Sequence, residues 1–239
     1  MNSKIVISIP IELNNRRAIA TALENKYGTD YVFVGQMFQS TITRNSCQIE
    51  ISDRNLELIN TFELTGQDKI SATTLQQLHR HQQIIYLTST DTGYNACCQI
   101  ARYTQILLNI GGIAVKVESA GIVHEKTKWQ TNHDSNDVFD IYSLFVNLIE
   151  GDDYYSCGMH NFGKADVAIS LTEDIGLAIY VMNVFNYYRL TESPILQDEH
   201  TFQPDIESPT YRLKWIEDRY ESDSLMHNPF GKWYLSRVR

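Results

Sequence analysis

The sequence predicts an α+β protein: a mixed β-sheet with a central strand-helix-strand crossover, and a long buried helix in the C-terminal half. Three observations lead there. First, "IIYLTS", "YNACCQIARYTQILLNI" and "IAVKVE" follow one another as strand, amphipathic helix and strand, with the length a right-handed parallel crossover needs. Second, short β-rich runs bounded by Gly, Asn and Pro recur on both sides of that unit. Third, "IGLAIYVMNVFNYYRL", opened by Thr172, Glu173 and Asp174, is apolar nearly all round, as a central buried helix is.

Along the chain, Lys4 to Ile9 reads as a first strand stopped by Pro10. Asn14 or Asn15 caps a helix with Ile19, Ala22 and Leu23 on one face, ending near Gly28. "YVFVGQMF" and "CQIEIS" read as strands joined through the turn-prone "TRNS". "NLELINTFELTG" fits strand or helix equally. Ser71 caps "ATTLQQLHRH", and His81 suits the end of that helix, where a histidine favours the dipole. Ala96, Ile100, Ala101, Thr104, Leu107 and Leu108 make the stripe of the crossover helix, which Gly111 and Gly112 end. "SAGIVHEKTKWQTNHDSND" is a polar connection with a helical turn around Lys126 to Trp129. "IYSLFVNLIEG" and "DYYSCGMH" read as a long hairpin, and "ADVAIS", "YRLKWIE" and "KWYLSRV" as further strands. The chain is expected to form one α+β domain over 1–239, or two packed halves, 1–122 and 138–239.

The totals narrow the function classes. A chain of 239 residues, 43% hydrophobic, can bury a core without metal or disulfide staples. Its formal charge of −9 lacks the field that draws in phosphate backbones, so nucleic-acid binding is not expected, whereas a basic protein is a compatible partner. Four cysteines, two of them adjacent, suit reduced buried thiols and not a secreted scaffold. With no signal-peptide pattern and no apolar run of membrane-spanning length, the expected setting is cytoplasmic, away from membranes.

His81, Ala120–Gly121, Trp129, Gly158–Met159, Phe162–Gly163 and Asp166 stand in an order and spacing that resemble an uncharacterised bacterial family, the domain of unknown function catalogued as four-two-six-one. The resemblance runs from Leu75 to Leu190, roughly half the chain. It implies an α+β fold, a bacterial cytosolic setting and proximity to toxin and immunity systems, but no activity.

Three groups of residues are candidates for function. Cys157, His160 and Asp166, within "SCGMHNFGKAD", could be a nucleophile, its base and an orienting acid. Against this, Cys157 and Met159 share a strand face while His160 begins the turn, so the glycine-flanked loop reads better as structural. Thr88, Asp91, Thr92, Glu118 and Ser119 would gather at the C-terminal edge of the crossover strands, where small ligands collect. No phosphate-loop pattern accompanies them, Asp91 would repel an anion, and capping explains Thr and Asp there better than binding does. Tyr211, Trp215, Asp218, Tyr220 and Glu221, in an acidic segment, would offer aromatic anchors and negative charge to a basic partner such as a toxin. His79 and His81 point apart on a helix, and no ligand-spaced cluster occurs elsewhere, so neither a metal nor a cofactor is expected. The leading expectation is a non-catalytic binding protein, immunity- or defence-linked. The alternative is a small-ligand-binding or hydrolytic enzyme at the C-terminal edge of the crossover strands.

Overall fold

Alternation along the first strand, β1 (Ile5–Ile11), decides where the main core lies: Ile5, Ile7, Ile9 and Ile11 are completely buried on one face. Each contributes about 1.5–3 kcal/mol of burial free energy, so a one-residue register slip would forfeit all four. The computed structural model describes residues 3–66 and 69–238. After β1 come α1 (Arg16–Tyr27), β2 (Tyr31–Val34), β3 (Met37–Ser40), β4 (Ser46–Asp53), α2 (Glu57–Thr65), α3 (Ala72–Leu78) and β5 (Gln83–Ser89). The crossover helix α4 (Tyr94–Asn109) leads to β6 (Ala114–Val117), β7 (Ile122–Glu125), α5 (Lys126–Asn132) and α6 (Val138–Phe145). The rest is β8 (Asn147–Glu150), β9 (Tyr154–Cys157), β10 (Asp166–Ile169), α7 (Ile175–Thr191), β11 (Thr201–Phe202), β12 (Tyr211–Ile216) and β13 (Lys232–Arg237).

The α+β class holds, with two sheets among the described residues instead of one. The first has the order β2-β3-β4-β5-β1-β6-β7, and every adjacent pair is antiparallel. β5 and β6 run the same way, as the crossover requires, but β1 lies between them. The chain therefore crosses over an intervening strand, as in split β-α-β folds. Helices α1 and α4 cover the isoleucine face of β1, whereas α2 and α3 close part of the other face around Phe62, Leu78 and Ile84. The second sheet, β11-β12-β13-β10-β9-β8, is mixed through one parallel pair, β10 with β13. The main core joins residues of both parts, from Ile7 and Leu107 to Phe145 and Phe162.

Several local expectations change. "YVFVGQMF" is a hairpin, β2 and β3, turning at Gly35 with φ +60°. "NLELINTFELTG" supplies α2. The first half of "IYSLFVNLIEG" is helix α6, because its apolar residues on both faces suit a buried helix as well as a buried strand. Only its end pairs as the hairpin β8–β9. Helix α7 buries Ala178, Val181, Met182 and Phe185 against the second sheet but leaves Ile175, Ile179, Tyr180 and Tyr187 at 40–50% exposure. It is a half-covered helix with an apolar outer face, not a central one.

Candidate functional site

The segment between β9 and β10 is a buried turn whose shape depends on two glycines. Gly158 has φ +125°, and a Cβ there would come within 2.1 Å of the Phe145 carbonyl oxygen. The 3-10 turn Met159–Phe162 follows, and Gly163, at φ +71°, ends it. Asn161 is its hub: its carbonyl accepts from the Gly93 N–H (2.8 Å), its Oδ1 accepts from the Ser119 hydroxyl (2.8 Å), and its Nδ2 donates to the Phe145 carbonyl (3.1 Å). Asp166 accepts from the Met159 N–H (3.1 Å), the Ser156 hydroxyl (2.9 Å) and Asn228 Nδ2 (2.6 Å). Burial raises its pKa to about 6, against these stabilising donors.

Cys157, His160 and Asp166 consequently do not form a triad. None of the three Asp166 donors is His160, and neither His160 ring nitrogen has a hydrogen-bond partner among the described residues. Burial, reinforced by Asp166 and Asp218, pushes the Cys157 thiol up, and its Sγ lies 4.0 Å from the Met226 carbonyl. A thiol so placed is a poor nucleophile.

The expected edge cluster is also dispersed. Thr88 sits in the sheet between Val6 and Gln48. Asp91 is exposed, and neither it nor Thr92 caps α4, whose N-cap is Gly93 without a side-chain bond. The Asn161 carbonyl takes the Gly93 N–H instead. Glu118 accepts from the Ser8 hydroxyl (2.6 Å) and pairs with Lys116, while Ser119 is buried against Asn161.

The same edge nevertheless holds a cavity of about 380 Å³, between Ser3 and Lys4 on one side and residues 222–229 on the other. His160 lines it at 1% exposure. Backbone groups of Ser119 and Leu225 lie near the ring without reaching hydrogen-bond geometry. Burial holds its pKa down at about 4, against the pull of Asp218. The Ser3 hydroxyl is likewise buried without a partner among the described residues. Leaving such groups unpaired costs about 1–3 kcal/mol each. Also lining the cavity is His227, whose Nδ1 donates to the Tyr220 carbonyl (2.9 Å), so the neutral ring carries its acceptor on Nε2.

The acidic aromatic segment is not one exposed surface. Tyr211 is completely buried and donates to Glu173 (2.8 Å), since it occupies the β12 face that meets α7. Asp218 is buried and ion-paired to Lys232. Tyr220 is half-buried and bonded to Tyr155 (2.9 Å). Of the five, Trp215 and Glu221 remain exposed. Periodicity cannot expose these pairings, because the partners are distant in sequence.

An apolar surface appears instead on α7. Ile175, Ile179, Tyr180 and Tyr187 are exposed there, as is Leu171 just before the helix, and a groove of about 750 Å³ runs from Val184 and Tyr188 to Ile195 and Pro204. Between Leu171 and Ser208 the sequence carries seven acids (Glu173, Asp174, Glu192, Asp198, Glu199, Asp205 and Glu207) against one cation, Arg189, which is buried. The Tyr180 hydroxyl donates to Asp205 (2.8 Å), which ties the acidic turn to the stripe.

Among the described residues, no three His, Cys, Asp or Glu side chains converge to hold a metal, and no helix is long and apolar enough to cross a membrane. No family model, no curated protein and no solved structure matches the chain.

Proposed function

We propose that this protein recognises another protein, one with a cationic, partly apolar surface, through the outer face of α7. The observation that carries the reading is the acid-rimmed apolar stripe of Ile175, Ile179, Tyr180 and Tyr187. Exposed aliphatic and aromatic side chains gathered on one helix face mark interaction surfaces more often than scattered ones do. The surrounding carboxylates would steer a basic partner and set its orientation. The resemblance to the four-two-six-one family, with the immunity or defence role it implies, belongs to the same proposal.

The test is retention of a cationic polypeptide from native lysate by the immobilised chain. Ile179→Asp should abolish retention, and Glu192→Lys with Glu207→Lys should weaken it at low salt. Glu63→Lys, on the exposed side of α2, should leave it unchanged. No retained polypeptide, or retention indifferent to the α7 substitutions, contradicts the reading.

A further inference from the structure

We propose that the cavity between Lys4 and the 222–229 segment binds a small oxyanion, a phosphate or a carboxylate, with His160 as its buried hydrogen-bonding group. The site and its occupant are separate from the α7 surface, so either proposal can fail alone.

Ser3 and His160 both line this cavity, and among the described residues Ser3 Oγ and both His160 ring nitrogens are buried without partners. Native interiors rarely leave such atoms unpaired. Gly158 and Asn161 fix the Met159–Phe162 turn against Phe145 and Ser119, which carries the imidazole to the cavity wall. An imidazole accommodates an oxyanion in either protonation state. Its two ring nitrogens point to opposite sides, so a small oxyanion accepts from one N–H only, present in the imidazolium and in the neutral tautomer protonated at that nitrogen.

The rest of the lining suits the same chemistry. Lys4 supplies a cation, and the hydroxyls of Ser3, Ser222 and Ser224 supply donors. Two carboxylates lie nearby. Asp223 lines the cavity, and Asp218 stands 3.6 Å from His227 Nδ1 with its charge balanced by Lys232. Lys4 set against Asp223, with the His160 ring held neutral by burial, favours a ligand of low negative charge. The volume of about 380 Å³ fits a phosphate ester or a small organic acid.

The experiment titrates the full chain with inorganic phosphate and, separately, with acetate, using chloride as the ionic-strength control. Long-range proton–nitrogen spectra follow the His160 ring nitrogens. We expect saturable movement of at least one His160 ring nitrogen with at least one oxyanion and none with chloride. Lys4→Ala and Ser3→Ala, near the surface and outside the turn, should each raise the half-saturation concentration about tenfold. Response to phosphate alone assigns phosphoryl ligands, and response to acetate alone assigns carboxylates. His160 nitrogens that ignore both ions, or that respond equally in the two variants, overturn the proposal.

Discussion

The Lys232 ammonium lies 2.9 Å from the Asp218 carboxylate, with the two side chains only 6% and 1% exposed. Asp218 also accepts the backbone N–H groups of Arg219 (2.8 Å) and Asn228 (2.7 Å), so one buried carboxylate ties down both ends of the connection between β12 and β13. Lys232 further faces the ring of Tyr155 at 4.9 Å.

Removing one partner of that pair leaves an uncompensated buried charge. Asp218→Ala should lower unfolding free energy by about 3–5 kcal/mol, and adding Lys232→Met should recover much of the loss. Chemical denaturation of both variants checks this. A single substitution worth less than about 1 kcal/mol would mean that the pair is solvated.

Gly158 and Gly163 bracket the His160 turn with positive φ, yet their surroundings differ. A Cβ at Gly158 would meet the Phe145 carbonyl at 2.1 Å, whereas at Gly163 the nearest atom is Thr92 Oγ at 3.5 Å. Gly158→Ala should therefore destabilise by at least about 3 kcal/mol, and Gly163→Ala by only about 1–2 kcal/mol. Equal losses on thermal or denaturant unfolding would contradict the difference in packing.

Acid should weaken the fold through its histidines. Burial lowers His124 and His160 to about 4, below the ordinary value of 6.5, so between those pH values the unfolded chain takes up protons that the folded chain refuses. Stability is then lost as pH falls from 6.5 towards 4. Asp166, raised to about 6, acts oppositely, since its folded form binds a proton first. Two histidines against one aspartate leave a net uptake of about one proton on unfolding, or about 1.4 kcal/mol per pH unit. His160→Gln should flatten that slope nearly to zero. An unchanged slope would show that the imidazole is not buried neutral.

The thiols should react in order of burial. Cys47 is pushed up to about 12 by burial, and Cys97 and Cys157 are raised by the same cause, whereas Cys98 is half-buried at the surface of α4. Iodoacetamide on the folded protein should label Cys98 first and the others only on unfolding. Mass spectrometry of the labelled peptides reads this out. Native labelling of Cys157 at the rate of Cys98 would revive the nucleophile reading.

Periodicity made much of the fold legible. The β1 alternation and the α4 stripe translate directly into buried faces, and Asn15, Ser71 and Asp174 each accept a backbone N–H at the start of a helix. His81 donates at the end of α3 as its position suggested, with its Nδ1–H on the Leu78 carbonyl. Pairing was less legible. Whether β6 lies beside β5 or beyond β1 depends on which strand already fills the gap, and a helix of α4's length spans either. The apolar run of α6 carries no period that separates a buried helix from a buried strand.

Site residues were hardest to read because their partners are remote. Asp218 looks like surface charge until Lys232 is placed against it, and Tyr211 looks like an anchor until α7 covers it. The outer face of α7 was hidden for the opposite reason. A helix apolar on all sides signals full burial, and nothing local shows that the second sheet covers only half of it.

The proposed function requires partner recognition through the outer face of α7. Site-specific photo-crosslinkers in place of Ile179 and Tyr187, with Leu64 on α2 (73% exposed) as control, test that directly in cells expressing the protein. Adducts with a second polypeptide from the two α7 positions, and none from Leu64, are the predicted result. Absence of adducts from α7, or equal adducts from Leu64, would contradict it.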